Sequence, residues 1–258
     1  MAGVLRWLRT RIEAAAPTRE SGLPTSSNRA SSMHLYWEAP PRPLAEVAVT
    51  VTVVEPPTVP RLYFWALQAS FETDGGRTTG AAHLGLQHHP GHPGGGAVNW
   101  GGYHRGGSGG VLDGSVSALP SALDNPNTRD YPWLPRRPYR YRIHRSPGRG
   151  WRGSVTDLAT GATTVVRDLW VEGDHLMAPM VWTEAFADCG EPPAAVGWTD
   201  LEAVTVDGRR ATIHRVRVNY QSHAEGGCTN TDCSSVDGGF LQRTGVRRRT
   251  PVGAVLTA

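Results

Sequence analysis

Ten residues near the start of the chain alternate strictly along EVAVTVTVVE, at 46–55. Val47, Val49, Val51 and Val53 would share one face of a strand, and the positions between them carry Ala, Thr or Val. Successive side chains of a β-strand point to opposite faces of its sheet. The pattern therefore predicts a strand that turns one face toward a core.

Similar segments, aromatic or β-branched, recur to the end of the chain. Gly, Pro, Asn and Asp separate them, and 31 Gly and 20 Pro in 258 residues suit short strands joined by tight turns. With little helical periodicity after the first residues, the chain is predicted to be all-β, a two-sheet antiparallel β-sandwich or jelly roll. A long loop is expected at 113–138, and further strands at 62–71, 81–89, 97–103, 139–145, 151–161, 162–170, 179–186, 196–208 and 211–221.

The first 32 residues have a different composition. Val4, Leu5, Leu8 and Ile12 fall at helical spacing among arginines, and residues 17–32 are polar and turn-rich. We expect an N-terminal tail, a short helix plus linker, over 1–32 and one β-sandwich domain over 33–258. The beginning lacks the apolar run of a signal peptide, which predicts a cytoplasmic protein. A misassigned start codon would leave secretion open.

The basic residues are all arginine: 26 Arg and no Lys, with a formal net charge of +3. Surfaces that bind nucleic-acid phosphates usually draw on Lys as well. We therefore expect no nucleic-acid partner. No stretch approaches the roughly 18 apolar residues of a membrane span, so no transmembrane segment is expected. Nothing in the sequence indicates an oligomeric state.

The stretch from Tyr63 to Gln87 contains YFWALQASF, a Gly-rich turn and HLGLQ. It resembles an uncharacterised bacterial family of unknown function that is allied to concanavalin-like lectin and glucanase sandwiches. WRGSVTDLATG, at 151–161, resembles the strand pair that follows the sugar-facing sheet in such proteins. The resemblance implies a concanavalin-like sandwich and favours a carbohydrate ligand, but it transfers no catalytic residue.

Two short triplets are nearly identical. Trp182, Thr183 and Glu184 form the first, and the second is a Trp-Thr-Asp sequence that begins at Trp198 and ends at Asp200. Residues two apart in a strand share a face, so each Trp would project beside a carboxylate. If the two strands pair in register, one face carries two indoles and two acids, which can stack on a sugar ring and bind its hydroxyls.

The predicted function is therefore a lectin-like, carbohydrate-binding protein whose partner is an oligo- or polysaccharide. Trp100 and Tyr103, from the Gly-rich region at 89–111, would extend its binding face. Glu184 and Asp200 would also suit glycoside hydrolysis if they stand about 5–9 Å apart. The EXDXXE-type motif of concanavalin-like glucanases is absent. A non-catalytic protein-interaction domain is a second alternative, because such surfaces also expose aromatic residues.

A polysaccharide lyase is the other enzymatic alternative. Gln87, His89, Tyr220 and Gln221 resemble the residue types of jelly-roll alginate-type lyases, in which Tyr or His takes a proton α to a uronate carboxylate. In our prediction Gln87, His89 and Tyr220 would be catalytic and Gln221 would bind ligand. The arginine-rich strand of those lyases is missing.

No cofactor is expected from the motifs, and calcium is the possible exception. His88, His89 and His92 share one Pro/Gly-rich loop but lack the spacing of a zinc site. Hard oxygen donors that could hold Ca²⁺ follow further on, although they also suit turns. They are Asp124, Asn127 and Asp130.

The three cysteines leave their pairing open. Cys228 and Cys233 bound the loop CTNTDC, which could close as a disulfide, and Cys189 could pair with either of them. All three could also be free thiols in a cytosolic protein. The interval in CTNTDC does not match a zinc ribbon or a CxxC redox site.

Overall fold

The structure is a computed structural model that describes residues 17–38, 40–105 and 110–258. Within these ranges it contains sixteen strands and one 3-10 turn, Pro93–Gly95. The strands are β1 (Ser31–Trp37), β2 (Leu44–Glu55), β3 (Tyr63–Glu72), β4 (Thr78–His88), β5 (Gly96–His104), β6 (Thr128–Asp130), β7 (Pro138–Arg145), β8 (Trp151–Asp157), β9 (Thr163–Leu169), β10 (His175–Ala185), β11 (Ala194–Thr205), β12 (Arg210–Thr212), β13 (Arg215–Tyr220), β14 (Thr231–Val236), β15 (Gly239–Thr244) and β16 (Val255–Thr257).

The strands form two packed antiparallel sheets, which confirms the predicted β-sandwich. The first sheet has the order β6-β5-β4-β3-β10-β1-β13-β16. The second has the order β14-β15-β11-β2-β7-β8-β9, with β12 beside β11. A single residue pair, Leu176 with Leu44, joins β10 to β2 where the sheets meet. The concanavalin-like assignment stays a prediction.

The core lies between the sheets and contains the faces that the alternation predicted. Val47, Val49, Val51 and Val53 of β2 are between 0% and 2% exposed. On the first sheet, the odd-numbered residues of β3, such as Trp65 at 1% exposure, occupy the same core. The even-numbered side chains of β3 consequently face outward, and this outward face carries the candidate site.

Buried hydrogen bonds link the sheets. Gln242 of β15 accepts hydrogen bonds from the Trp198 indole at 2.9 Å and the Thr183 hydroxyl at 2.8 Å. It donates one to the carbonyl of Met33 at 3.0 Å. Buried polar groups need such partners, because an unmatched one costs about 1–3 kcal/mol. Gln242 therefore connects two strands of the first sheet, β1 and β10, to the second.

Residues 17–30, predicted as a linker, lie against the sandwich. Arg19 N donates to the Thr229 hydroxyl at 2.9 Å, and Thr25 N donates to the Gly226 carbonyl at 3.0 Å. Strand β1 begins at Ser31, two residues before the expected domain boundary at 33. The predicted N-terminal helix falls in residues 1–16, outside the described residues. The division into tail and domain stays a prediction.

Cys189 and Cys228 form a disulfide, with Cα atoms 5.5 Å apart and a sequence separation of 39. It joins the loop after β10 to the segment before β14. Cys233 is buried as a free thiol in β14. Of the pairings that the sequence left open, the structure contains Cys189 with Cys228 and not the CTNTDC loop closure.

In the ranges given above, we find no helix with the length and apolar character needed to cross a membrane.

Candidate active-site groove

A groove of about 680 Å³ crosses the outer face of the first sheet. It runs over the strands β1, β10, β3, β4 and β5, and residues of the N-terminal segment border one end. The cross-strand register aligns its residues in rows, since even-numbered positions of β3 face those of β10. The lining residues are Asn28, His34, Phe64, Gln68, Ser70, Thr78, Gly80, Ala81, His83, Tyr103, His104, Arg105, Trp182, Glu184 and Phe186.

An aromatic cluster forms the floor of the groove. Phe64 and Trp182 are each 5% exposed, and their rings meet edge to face with centroids 4.9 Å apart. His83 contacts the Trp182 ring at 5.6 Å, and His34 lies 6.5 Å from it on the other side. Gly85, opposite the floor residue Ala66, leaves room for the Phe64 ring, because a Cβ there would lie 2.8 Å from it. The floor is therefore packed and rigid although it faces outward.

The Trp182 indole has a specific hydrogen-bond partner. Its Nε1 donates to the Oε1 atom of Gln68 at 3.0 Å. This bond fixes the orientation of the Gln68 amide, which leaves its NH2 group free to donate into the groove. Trp182 and Gln68 therefore supply an apolar surface and an amide donor side by side.

Glu184 carries the carboxylate of the groove. Asn28 Nδ2 donates to its Oε1 atom at 3.1 Å. Asn28 is itself fixed, because its Oδ1 accepts hydrogen bonds from the Ser26 hydroxyl at 3.0 Å and the Ala30 amide at 3.1 Å. Burial raises the pKa of Glu184 above its usual range, and the Asn28 hydrogen bond partly opposes that rise.

Gln87 stands level with Glu184 on the far side of β3. Phe64 is the cross-strand partner of both residues, of Glu184 on β10 and of Gln87 on β4. Neighbouring strands lie about 4.8 Å apart, so the two Cα atoms are about 10 Å apart on the same outward face. Gln87 is 6% exposed, and its Oε1 atom has no hydrogen-bond partner among the described residues.

The two histidines of the floor are neutral over most of the pH range. Burial lowers the pKa of His34 to about 4 and that of His83 to about 4. For His34 the negative charge of Glu225 acts in the opposite direction and is the weaker effect. Near neutral pH the groove therefore holds one acid and two uncharged imidazoles between its ends.

A smaller groove, of about 450 Å³, continues from the first around His34, which lines both. We call it the side groove. It lies over β1 and β13, and its other lining residues are Ser26, Ser27, Ser32, Asn219, Gln221 and Glu225. Gln221 holds its wall in place by accepting a hydrogen bond from Ser32 N at 3.1 Å and donating to the Glu225 carbonyl at 3.2 Å.

The predicted sugar-binding face is not formed. Trp182 and Glu184 share the outward face of β10, but Trp198 and Asp200 belong to β11 in the other sheet. Trp198 is 0% exposed in the core, and Asp200 is an exposed residue at an irregularity of β11, with φ of 50°. The similar triplets therefore lie on strands that do not pair, and Glu184 and Asp200 cannot act on one bond.

The proposed extension of that face is also wrong in part. Trp100 is 0% exposed and packs against Gly153 of β8 inside the sandwich. Tyr103 is 59% exposed and lines the groove at the end that β5 forms. Side chains alternate between the two faces along β5, so Tyr103, three positions after Trp100, lies on the opposite face of the sheet.

The lyase residues do not come together. Tyr220 is 3% exposed and faces the core, where its hydroxyl accepts a hydrogen bond from Cys233 N at 2.9 Å. His89 lies in the loop after β4 and contacts His92, with ring centroids 4.9 Å apart. Gln87 and Gln221 lie on the same sheet with β3, β10 and β1 between their strands.

Two of the three candidate metal ligands, Asp130 and Asn127, make other contacts. Asp130 binds His92 Nδ1 at 2.6 Å, and the Asn127 carbonyl oxygen Oδ1 accepts a hydrogen bond from Arg167 at 3.1 Å. Asp124 is exposed in the same loop. Across the described residues, no three His, Cys, Asp or Glu side chains cluster as metal ligands would. Calcium binding stays an untested prediction.

Several groove residues were missed by sequence reasoning. Gln68 and Phe64 had a usable signal, since both fall on the even-numbered face of a strand whose odd face is apolar, and Gln68 is polar there. His34 has the same signal in β1. Asn28 had none, because a polar residue in a turn-rich segment looks like any linker residue.

Comparison with known proteins gives a likeness of fold. No protein-family model and no curated protein matches the chain. Among solved structures, scytalido-glutamic peptidase with a peptide-based transition-state analogue matches at 13% identity and a TM-score of 0.42, over 87% of this chain and 98% of that one. SCP-B, a member of the eqolisin family of peptidases in complex with the tripeptide Ala-Ile-His, matches at 11% identity, the same coverage and a TM-score of 0.41.

The carbohydrate-binding prediction is wrong. The Trp and acid residues invoked for a sugar face lie in different sheets, so the two triplets cannot form one binding surface. At these identities the likeness concerns the fold and assigns no role to any residue of this chain.

Proposed function

We propose that this protein is a hydrolase that cleaves polypeptides at the groove, with Glu184 of the groove lining as general base and Gln87, which lies beside that lining on β4, as the amide that stabilises the transition state. One observation carries the proposal: Glu184 and Gln87 stand level on the same outward face, on either side of Phe64. Both are partly or fully buried, and one is an acid with a raised pKa. Perturbed ionisable groups in clefts are typical of catalytic sites.

The Glu184 carboxylate and the Gln87 carboxamide are better suited to attack on a carbonyl group than to cleavage of a glycosidic bond. Glycosidases of the usual kind need two carboxylic acids that flank the bond. Among the described residues that line the groove, Glu184 is the only carboxylic acid. Acyl hydrolysis needs a base for water and a hydrogen-bond donor for the developing oxyanion, which a carboxylate and a carboxamide can supply.

The reaction follows from these two roles. Ionised Glu184 takes a proton from a water molecule, whose oxygen attacks the carbonyl carbon of the scissile peptide bond. The Gln87 NH2 group donates a hydrogen bond to the oxygen that becomes negative. Collapse of the tetrahedral intermediate breaks the C–N bond, and Glu184 returns the proton to the departing amine. Asn28 keeps the Glu184 carboxylate oriented throughout.

The shape and lining of the groove favour an extended polypeptide as substrate. The groove crosses five strands of the first sheet, about 19 Å at a strand spacing of about 4.8 Å, which is the length of five or six extended residues. Trp182, Phe186 and Tyr103 offer apolar surface to side chains. Gln68, Ser70 and Thr78 offer groups that can pair with a peptide backbone.

The test is to measure cleavage of a fluorogenic peptide library at acid to neutral pH with three purified variants. Glu184→Gln should lower kcat about 10³-fold, and Gln87→Ala about 10²-fold with little change in KM. The control Glu55→Gln removes an exposed carboxylate outside the groove and should keep full activity. Equal loss in all three variants, or full activity of Glu184→Gln, would reject the proposal.

A further inference from the structure

Glu225 presents a fixed negative charge to the side groove. Its Oε2 atom accepts hydrogen bonds from the Ser222 amide and the Ser222 hydroxyl, both at 2.8 Å. These bonds hold the carboxylate in one position and lower its pKa below the usual range. A carboxylate held in this way favours its ionised form.

This charge has no cationic partner within the described part of the chain. Among the described residues, no arginine or histidine nitrogen lies within 4.0 Å of the Glu225 carboxylate, whereas most of the ion pairs they form have N–O distances of 2.5–3.2 Å. His34 is the one cationisable group whose charge would act on it, and burial keeps His34 neutral down to about pH 4, its pKa. His34 Nδ1, at the junction of the two grooves, also lacks a hydrogen-bond partner.

We propose that the side groove is a specificity subsite that binds a lysine or arginine side chain of the substrate through Glu225. This inference rests on the proposed peptide hydrolysis. The side groove has about 450 Å³ of space and lies beside the groove that holds Glu184, with His34 lining both. Ser26, Ser27 and Asn219 add oxygen acceptors around the carboxylate, which suits the several N–H donors of an ammonium or guanidinium group.

The pairing of the strands sets the distance between the side groove and Glu184. Glu184 faces Ser32 on β1, and Ser32 in turn accepts a backbone hydrogen bond from Gln221 beyond the end of β13. Two strand spacings amount to about 10 Å, or about three residues of an extended peptide. The preferred cation is therefore expected about three residues from the bond that is cleaved.

The other end of the groove carries the opposite charge. Arg105 lines the groove beside His104 and Tyr103, and the described residues include no acid within ion-pair distance of it. A peptide lying from the side groove to Arg105 would therefore meet a negative end and a positive end. The charge pattern favours one direction of binding for a peptide with a basic residue at one end.

The experiment measures binding rather than turnover. Fluorescein-labelled eight-residue peptides, each with one lysine at a different position, are titrated against Glu184→Gln protein at pH 5 by fluorescence polarisation. Matched peptides carry norleucine in place of lysine. At one position lysine should bind about fivefold more tightly than norleucine, and 0.5 M NaCl should weaken that preference.

Two further variants test whether the preference for lysine depends on Glu225. Adding Glu225→Gln, which keeps an oxygen acceptor for Ser222, should abolish the lysine preference, and adding Glu55→Gln should preserve it. Equal affinity for lysine and norleucine at every position overturns the subsite, as does a preference that survives Glu225→Gln. If no peptide binds at any concentration, the proposed peptide hydrolysis fails and the subsite fails with it.

Discussion

Asn28 donates a hydrogen bond of 3.1 Å to the carboxylate of Glu184, so a residue of the N-terminal segment contacts the candidate catalytic base. Loss of this donor removes a group that favours the ionised form. We predict that Asn28→Ala raises the pKa of Glu184 further. The acidic limb of the kcat/KM profile should therefore shift to higher pH.

The matched control is Asn125→Ala, which removes a half-buried loop amide that accepts a hydrogen bond from Asn127 N outside the groove, and it should leave the profile in place. A profile that does not move in Asn28→Ala, while overall activity falls, would mean that Asn28 serves only the fold of the segment.

The neutral histidines of the groove floor make stability depend on pH. His34 and His83 have folded-state pKa values of about 4, against about 6.5 in an unfolded chain. Below pH 6.5 the unfolded state binds more protons than the folded state, so stability falls as pH drops from 6.5 toward 4. The urea midpoint should therefore be lower at pH 5 than at pH 7.

His83→Gln should reduce that difference in midpoint, because it removes one of the two titrating groups. His104→Gln, at an exposed position, should not change it. A variant His83→Gln with the full pH dependence would show that burial of His83 contributes nothing to acid sensitivity.

The sequence predicted the fold correctly where the residue pattern of a single strand was enough to identify it. The alternation of Val47 to Val53 identified both the strand and its buried face, because a side-chain period of two is a property of one segment. Which strands pair is not such a property. The triplets that begin at Trp182 and Trp198 look alike, yet the connection at 186–193 carries the chain from the first sheet to the second.

The site was predictable only in pieces for the same reason. Glu184 and Gln87 were each singled out, but for different imagined reactions, because their common neighbour Phe64 appears only in the cross-strand register. Asn28 reaches Glu184 across 156 residues of sequence, and no local pattern encodes such a contact. The pairing of Cys189 with Cys228 likewise depends on three-dimensional proximity, which the sequence does not show.

The disulfide between Cys189 and Cys228 should account for a large share of the stability. In the chain-entropy picture, closing a loop of 39 residues stabilises the folded state by about 4 kcal/mol. Reduction, or Cys228→Ser, should lower the unfolding free energy by an amount of that order. Thiol titration in urea should find one reactive thiol without reductant and three after reduction. Three thiols before reduction would show that the disulfide does not form.

The most direct test of the central claim is to incubate the protein with an unfolded polypeptide in H₂¹⁸O at pH 5 and analyse the products by mass spectrometry. We expect new C-termini that carry ¹⁸O in the carboxyl group and new N-termini without ¹⁸O, and we expect neither with Glu184→Gln protein. Absence of cleavage by the wild-type protein, or unchanged cleavage by Glu184→Gln, would contradict it.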